Sequence, residues 1–216
     1  PDELNFLDLP KAGNWEQAVS LLNDLGALKP DLSSLTEHGE AMALIPAHPR
    51  LGHLLIKGAE AGNTEKAALL AALLSDRNPL SQENPDITTH LAVLSGEETC
   101  AKQYRGWYQR TQKLAKQLAI HVRNIRQDSV LPAAEILGYL LACAFPDRIA
   151  RRRHKGGYQL ANGRSASFRD RQPLEKHTWL AVAEVSGLAR TRGDVIRSAA
   201  PLDPKLFEGV LSSRVI

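Results

Sequence analysis

The sequence lacks most of the motifs by which active sites and metal sites are recognised. Its 216 residues include two cysteines, Cys100 and Cys143, whose separation matches no metal-ligand spacing. Two thiols fit a reducing cytoplasm better than a disulfide scaffold. The phosphate loop Gly-x-x-x-x-Gly-Lys-Ser/Thr is missing, as are His-Glu-x-x-His, Cys-x-x-Cys and Gly-x-Ser-x-Gly. We therefore expect a cytoplasmic stretch with no catalytic residue, no cofactor and no metal of its own.

Aromatic residues and long apolar runs are also scarce. No run approaches the ~20 apolar residues of a membrane span, so no membrane partner is expected. Aromatic residues make up 5% of the chain, which favours helices packed by Leu and Ala over an aromatic β-sandwich. The 43% apolar content suits a soluble domain with a real core. Because the sequence lacks an initiator methionine and ends in mid-pattern, we expect a piece of a longer protein.

Apolar periodicity predicts helices in the first two-thirds of the chain. The first helix carries an apolar stripe that includes Trp15, and we expect this stripe to be buried. Pro49 fits the first turn of a later helix. Residues 81–90 are expected to form a loop, because Pro85 lies there among polar residues.

The pattern changes to strands after Pro146. Asn162-Gly163 is a strong hairpin signal between two short alternating segments. Further strands are predicted near residues 179–185 and 192–199. The predicted fold class is therefore α+β, with a mostly helical part followed by a small β-barrel.

Charge is distributed unevenly along the chain. The net charge is only +3, but from Pro146 onward 14 Lys and Arg face 7 Asp and Glu. The first 145 residues carry the remaining 13 basic and 17 acidic side chains. Such asymmetry hints at nucleic-acid contact by one part of the surface, although a basic half can also be a plain solvated face.

The stretch Thr99–Gln127 has seven basic residues and no Asp or Glu. At about 100° per residue, its apolar side chains fall within about a third of a helix circumference. Five cations fall in a narrower arc on the opposite side: Lys102, Arg105, Lys113, Lys116 and Arg123. Solvated helices usually mix Glu with Lys. The residues alone leave two interpretations equally weighted, a nucleic-acid contact and an ordinary solvated face.

Three stretches carry a family resemblance. Leu25–Leu51 reads LGALKPDLSSLTEHGEAMALIPAHPRL, and it resembles the region that follows the motor domains in DEAH/RHA-type helicases. The phrases Ala144-Phe-Pro-Asp-Arg-Ile-Ala-Arg-Arg and Tyr158-x-Leu-x-Asn-Gly-Arg narrow the resemblance to the bacterial HrpB branch. It covers most of the chain, from about Trp15 to Leu202.

The resemblance implies three domains. Residues 1–48 would form a winged-helix-like module, 49–145 a helical ratchet (HA2-like) domain and 146–216 an OB-like barrel that continues past Ile216. It also implies a parent chain that is an ATP-dependent helicase. This stretch has no DEAH-like acidic box and should not hydrolyse ATP alone, so ATP and Mg²⁺ would bind in a motor outside it.

The function implied is an accessory region that grips single-stranded RNA or DNA by its backbone for the motor domains of its own chain. Winged helices can read DNA, but Glu37 and Glu40 stand where basic residues would be wanted, so the winged module should brace the motor. Charge geometry predicts these phosphate contacts: Lys102, Arg105, Lys113, Lys116, Arg123, Arg148, Arg151, Arg152, Arg153, Lys155 and Arg164.

Two alternatives stay open. The stretch could be a non-enzymatic interaction module whose basic face binds an acidic protein partner. It could also be a structural regulator that only braces the motor.

Overall fold

Helices precede strands in the part of the chain that the computed structural model describes, which is residues 11–129, 131–132, 134–154, 156–187, 193–209 and 211. The helices are α1 (Ala12–Asp24), α2 (Glu37–Ala43), α3 (Pro49–Glu60), α4 (Thr64–Ser75), α5 (Ile87–Ser95), α6 (Arg105–Val122) and α7 (Ile136–Ala144). The strands are β1 (Ile149–Arg152), β2 (Tyr158–Leu160), β3 (Ser165–Ser167), β4 (Trp179–Gly187) and β5 (Asp194–Pro201). This order confirms the predicted α+β class.

The chain up to Ile45 forms one unit, built from α1, α2 and an antiparallel bridge between Leu28 and Leu35. Thr36 caps α2, because its Oγ1 accepts a hydrogen bond from the Gly39 amide at 3.0 Å. The predicted burial of the α1 stripe is confirmed only towards its end, where Val19 and Leu22 are half-buried and Leu25, just after α1, is buried. No residue of α1 is buried and Trp15 is 38% exposed, because two short helices cannot cover this face. The winged-helix assignment stays a prediction.

A second unit begins at Pro46 and contains the helices α3 to α7 and the barrel. α4 is buried over most of its length and packs against α3, α5 and α6. The loop predicted for residues 81–90 is wrong at its end, since α5 begins at Ile87. Asp86 caps this helix by accepting the Thr88 amide at 3.0 Å, a signal that nearby Pro85 obscured. Pro49 occupies the first turn of α3, as predicted.

The five strands close into a barrel in the order β1-β2-β3-β5-β4. Asn162 and Gly163 form the turn of the predicted β2–β3 hairpin, and Gly163 has a φ of 83°. β3 and β5 are parallel, and the other neighbouring strands are antiparallel. Tyr158, Leu160 and Leu180 fill the interior. The structure is a helical domain followed by an OB-like barrel.

The helices and the barrel of the second unit are joined through α7 and the residues before α5. Gly138 of α7 lies so close to β5 that a Cβ there would overlap the Pro201 carbonyl oxygen. The Ala199 amide of β5 donates to the Pro85 carbonyl at 2.9 Å. The predicted division into three domains stays a prediction. Among the described residues, no helix has the length and apolarity to cross a membrane.

Candidate nucleic-acid interface

α6 presents two opposite faces, as its sequence pattern predicts. Buried residues recur along one face at helical spacing: Trp107, Thr111, Ala115, Leu118 and Val122. This face packs against α4, with smaller contacts to α3 and α5. The buried stripe fixes the rotation of α6 about its axis and therefore turns the opposite face to solvent.

The solvent face of α6 and the turn before it carry the predicted cations. All five are exposed, and none makes a hydrogen bond or ion pair with a described residue: Lys102, Arg105, Lys113, Lys116 and Arg123. We call this set the α6 cation face. Ile120, which is 58% exposed, lies within the same arc. An exposed row of cations without ion-pair partners among the described residues repels itself and favours a polyanionic partner.

The arginines at the start of the barrel are exposed, but nearby groups hold their side chains. Arg151 lies over the Trp179 ring at 5.5 Å from its centroid. Arg152 donates to the Glu175 carbonyl at 2.7 Å. A backbone carbonyl and an aromatic ring leave the positive charge intact, so both guanidinium groups can still bind phosphate.

The remaining predicted cations of the barrel have different surroundings. Arg153 donates to the Ser165 hydroxyl at 3.1 Å and is exposed. Arg164 forms an ion pair with the buried Asp194 at 2.6 Å, although its own side chain is 61% exposed. This pairing neutralises much of the Arg164 charge. Lys155 lies outside the described residues.

Arg148 is half-buried and is an anchor of the joint between helices and barrel. Its Nη1 donates to the Ala183 carbonyl at 2.6 Å, and its guanidinium lies 4.9 Å from the centroid of the Phe145 ring. Arg50 lies over the same ring at 5.1 Å and pairs with Asp147 at 2.6 Å. Burial lowers the pKa of Arg148 from its ordinary value, and Asp147 opposes that effect.

A cavity of about 570 Å³ joins this anchor to α6. We call it the junction cavity. Its lining includes Arg50 of α3, Arg148 before β1, and Leu114 and Leu118 of α6. His48 also lines it, and its pKa is lowered by burial first and then by repulsion from Arg50 and Arg148. The cavity therefore brings Arg148 to the packed face of α6, and not to the α6 cation face.

A second cleft, of about 790 Å³, adjoins the junction cavity and shares Leu74 and Phe145 with it. We call it the bulge cleft, because it lies where β4 and β5 are irregular. Three arginines line it: Arg77, Arg169 and Arg197. The charge patterns of the sequence did not identify them, because they come from α4's end, a loop and β5 and form no local cluster.

No group of three His, Cys, Asp or Glu side chains that could hold a metal ion occurs within the described ranges.

The comparisons with known proteins agree with this architecture. No protein-family model matches the chain. The ATP-dependent RNA helicase HrpB of Escherichia coli is 36% identical over 181 residues, which are 83% of this chain and 20% of HrpB. The ATP-dependent RNA helicase DHX29 of Mus musculus is 32% identical over 108 residues, which are 47% of this chain and 8% of that protein.

Solved structures of HrpB also match this chain. The crystal structure of the E. coli DExH-box NTPase HrpB matches with a TM-score of 0.74 and 30% identity, over 96% of this chain and 24% of that one. A crystal structure of E. coli DEAH/RHA helicase HrpB also gives 0.74, at 27% identity, over 94% of this chain and 23% of that one.

The chain is therefore homologous to part of helicases of the DEAH/RHA type. Within that class it is homologous to HrpB, over a C-terminal region of that helicase, which confirms the resemblance predicted from the sequence. The chain spans about a fifth of the length of HrpB.

Proposed function

We propose that this accessory helicase region holds single-stranded RNA or DNA by its phosphate backbone. The α6 cation face carries the proposal, because its five cations are exposed and have no acidic partner among the described residues. When lysine and arginine side chains of a protein contact phosphates, they release the counterions condensed on the nucleic acid. This release favours binding and makes the affinity depend on salt concentration. A sequence-independent grip of this kind suits a part that must hold any strand while a motor moves it.

The barrel extends the proposed contact surface. Arg151, Arg152 and Arg153 are exposed at the end of β1 and beyond. Arg151 lies over Trp179, whose ring makes an edge contact with Phe207 at 4.9 Å between centroids. OB folds bind single strands with a basic groove and stacking rings. Half-buried Trp179 and Phe207 could supply such rings beside Arg151.

The unit up to Ile45 has a different surface and, we propose, a different partner. Large apolar side chains are exposed in α1, in the connection between α1 and α2, and directly after α2: Trp15, Leu32, Leu35 and Leu44. Its Glu37 and Glu40 are exposed at the start of α2, where they would repel phosphate. This surface suits packing against motor domains of the same polypeptide, which would hold ATP and Mg²⁺.

One observation favours the alternative of an acidic protein partner. Ile120 is exposed within the α6 cation face, and an apolar side chain contributes more to a protein interface than to a phosphate contact.

Binding of the 216-residue chain to labelled oligo-U and oligo-dT tests the proposal. We expect micromolar binding at low salt, and Lys113→Glu with Lys116→Glu should weaken binding to both oligonucleotides alike. The matched control is Lys11→Glu with Lys29→Glu, an equal charge change at two exposed positions of the other unit, and it should change binding little. Failure of both oligonucleotides to bind at low salt would exclude the proposal and leave the acidic protein partner.

A further inference from the structure

The bulge cleft is built around two facing irregularities of the barrel. The register leaves Ala183 unpaired on β4 and Arg197 unpaired on β5, on opposite sides of the pair Glu184–Ser198. Such bulges bend a strand, re-aim its side chains and are common next to functional sites. The Ala183 carbonyl freed by the bulge is held by Arg148 at 2.6 Å. The irregularity is therefore supported by a partner from outside the two strands.

All four residues of this double bulge line the bulge cleft. The rest of its wall comes from the end of α4, the segment 76–78 with Asp76 and Arg77, the 3₁₀ turn Pro79–Gln82, Phe145 and Arg169. Its volume of about 790 Å³ lies within the range of ~300–1,000 Å³ typical of ligand sites. The cleft combines an apolar wall, which includes Leu74 and Phe145, with charged and hydroxyl groups.

Ser198 shows that the polar side of the cleft is incomplete by itself. Its side chain is only 2% exposed, and its hydroxyl makes no hydrogen bond with any described residue. A buried hydroxyl without a partner costs free energy, so such groups are rare in folded proteins. Glu184, the residue opposite on β4, is exposed and also makes no hydrogen bond within the described ranges.

We propose that the bulge cleft binds one nucleotide of the held strand and reads its base. Guanidinium groups of Arg77, Arg169 and Arg197 would bind the adjoining phosphates, because arginine forms paired hydrogen bonds with phosphate oxygens. Glu184 would contact the edge of the base, and the Ser198 hydroxyl, which is closed off from solvent here, would join this contact by a rotation of its side chain. This inference deepens the proposed function and rests on it, since it adds base preference to a backbone grip.

Two carboxylates line the cleft, Asp76 and Glu184, and we assign the base preference to Glu184 because it lies opposite Ser198 in the double bulge. An ionised carboxylate only accepts hydrogen bonds, so it needs a base edge that donates. Cytosine presents the N4 amino group, whereas the corresponding position of uracil or thymine is an O4 acceptor that a carboxylate repels. The cleft therefore favours cytosine over uracil, by about tenfold in affinity if a single charged hydrogen bond discriminates.

The test compares labelled oligo-C and oligo-U on the 216-residue chain at one salt concentration. The wild-type chain should bind oligo-C about tenfold more tightly. Glu184→Gln should bring the ratio close to one, because an amide both accepts and donates. Loss of the negative charge in Glu184→Gln should raise the affinity for both oligonucleotides alike, and this general gain cancels in the ratio of the two affinities. Glu97→Gln, the same change at an exposed position outside the cleft, should keep the tenfold ratio.

Ser198→Ala separates a ligand role from a structural role. Because the hydroxyl has no described partner, its removal should leave Tm unchanged or raise it, while the ratio of affinities falls. Equal binding of oligo-C and oligo-U by the wild-type chain would overturn the base-reading inference and leave the proposed function standing. Survival of the ratio in both variants would also overturn it. Absence of binding to either oligonucleotide would overturn both proposals.

Discussion

The salt dependence of binding gives the most direct count of the phosphate contacts made by the α6 cation face. We consider replacing Lys113 and Lys116 by glutamine, which removes two charges without adding repulsion. Glutamine is a good helix former, and both lysines are exposed and without described partners, so α6 should persist. The change therefore acts on binding alone.

The expected magnitude follows from counterion release. For single strands the logarithm of affinity falls against the logarithm of salt with a slope of about −0.7 per phosphate contacted. If all five cations of the face contact phosphate, they contribute a slope of about −3.5, or roughly 100-fold in affinity between ~50 and ~200 mM salt. Three remaining cations would give about −2.1 and roughly 20-fold. The barrel arginines contribute equally to the slopes of the wild-type chain and of the variant. The difference of about 1.4 between the two slopes therefore comes from Lys113 and Lys116.

Fluorescence anisotropy with a labelled oligo-U over that salt range measures the two slopes. The control, Lys11→Gln with Lys29→Gln, should keep the wild-type slope, because both positions lie in the unit up to Ile45. An unchanged slope in the Lys113→Gln, Lys116→Gln protein would refute the assignment of α6. A wild-type slope near zero would refute the electrostatic grip as a whole.

Three further predictions concern the scaffold. Gly138→Ala should lower the free energy of unfolding in urea by about 1–3 kcal/mol, because its Cβ overlaps the Pro201 carbonyl, whereas Gly13→Ala, with open space around it, should not destabilise. Burial lowers the pKa of His90, so its stabilising effect, present above the ordinary value of about 6.5, should be lost as pH falls through the folded-state pKa. Urea unfolding across this pH range should show the loss, and His90→Gln should reduce it. Arg148→Lys keeps the charge but loses the hydrogen bond to the β4 bulge, and should lower Tm while the salt slope stays the same.

The sequence was sufficient for those features whose signals are local. The two faces of α6 follow from the spacing of residues such as Trp107 and Lys113, because helix periodicity converts sequence directly into faces. The β2–β3 hairpin follows from Asn162 and Gly163, since glycine tolerates the positive φ of the turn. The order of helices and barrel follows from the spacing of apolar residues, which changes from helical to alternating after Pro146.

Features that depend on tertiary packing were missed or predicted wrongly. The stripe around Trp15 has helical spacing, but spacing does not reveal whether another element covers it. Arg77, Arg169 and Arg197 meet only because a bulge and a loop bring distant parts of the chain together. A bulge has no reliable sequence signature, so a cleft built on two facing bulges could not have been predicted from charge patterns.

The structure also divides the predicted cations by what already holds them. Arg164 is paired with buried Asp194, and Arg148 is committed to a carbonyl and an aromatic ring, so much of their binding capacity is used within the fold. Lys113 and Lys116 have no such partners among the described residues. A cation that is already paired releases fewer counterions when it meets phosphate, because its partner neutralises it beforehand. Arg164 should therefore contribute less to the salt dependence than either lysine of the α6 cation face. Arg151 and Arg152 keep their charge, and should contribute both to the salt dependence and to the position of the strand.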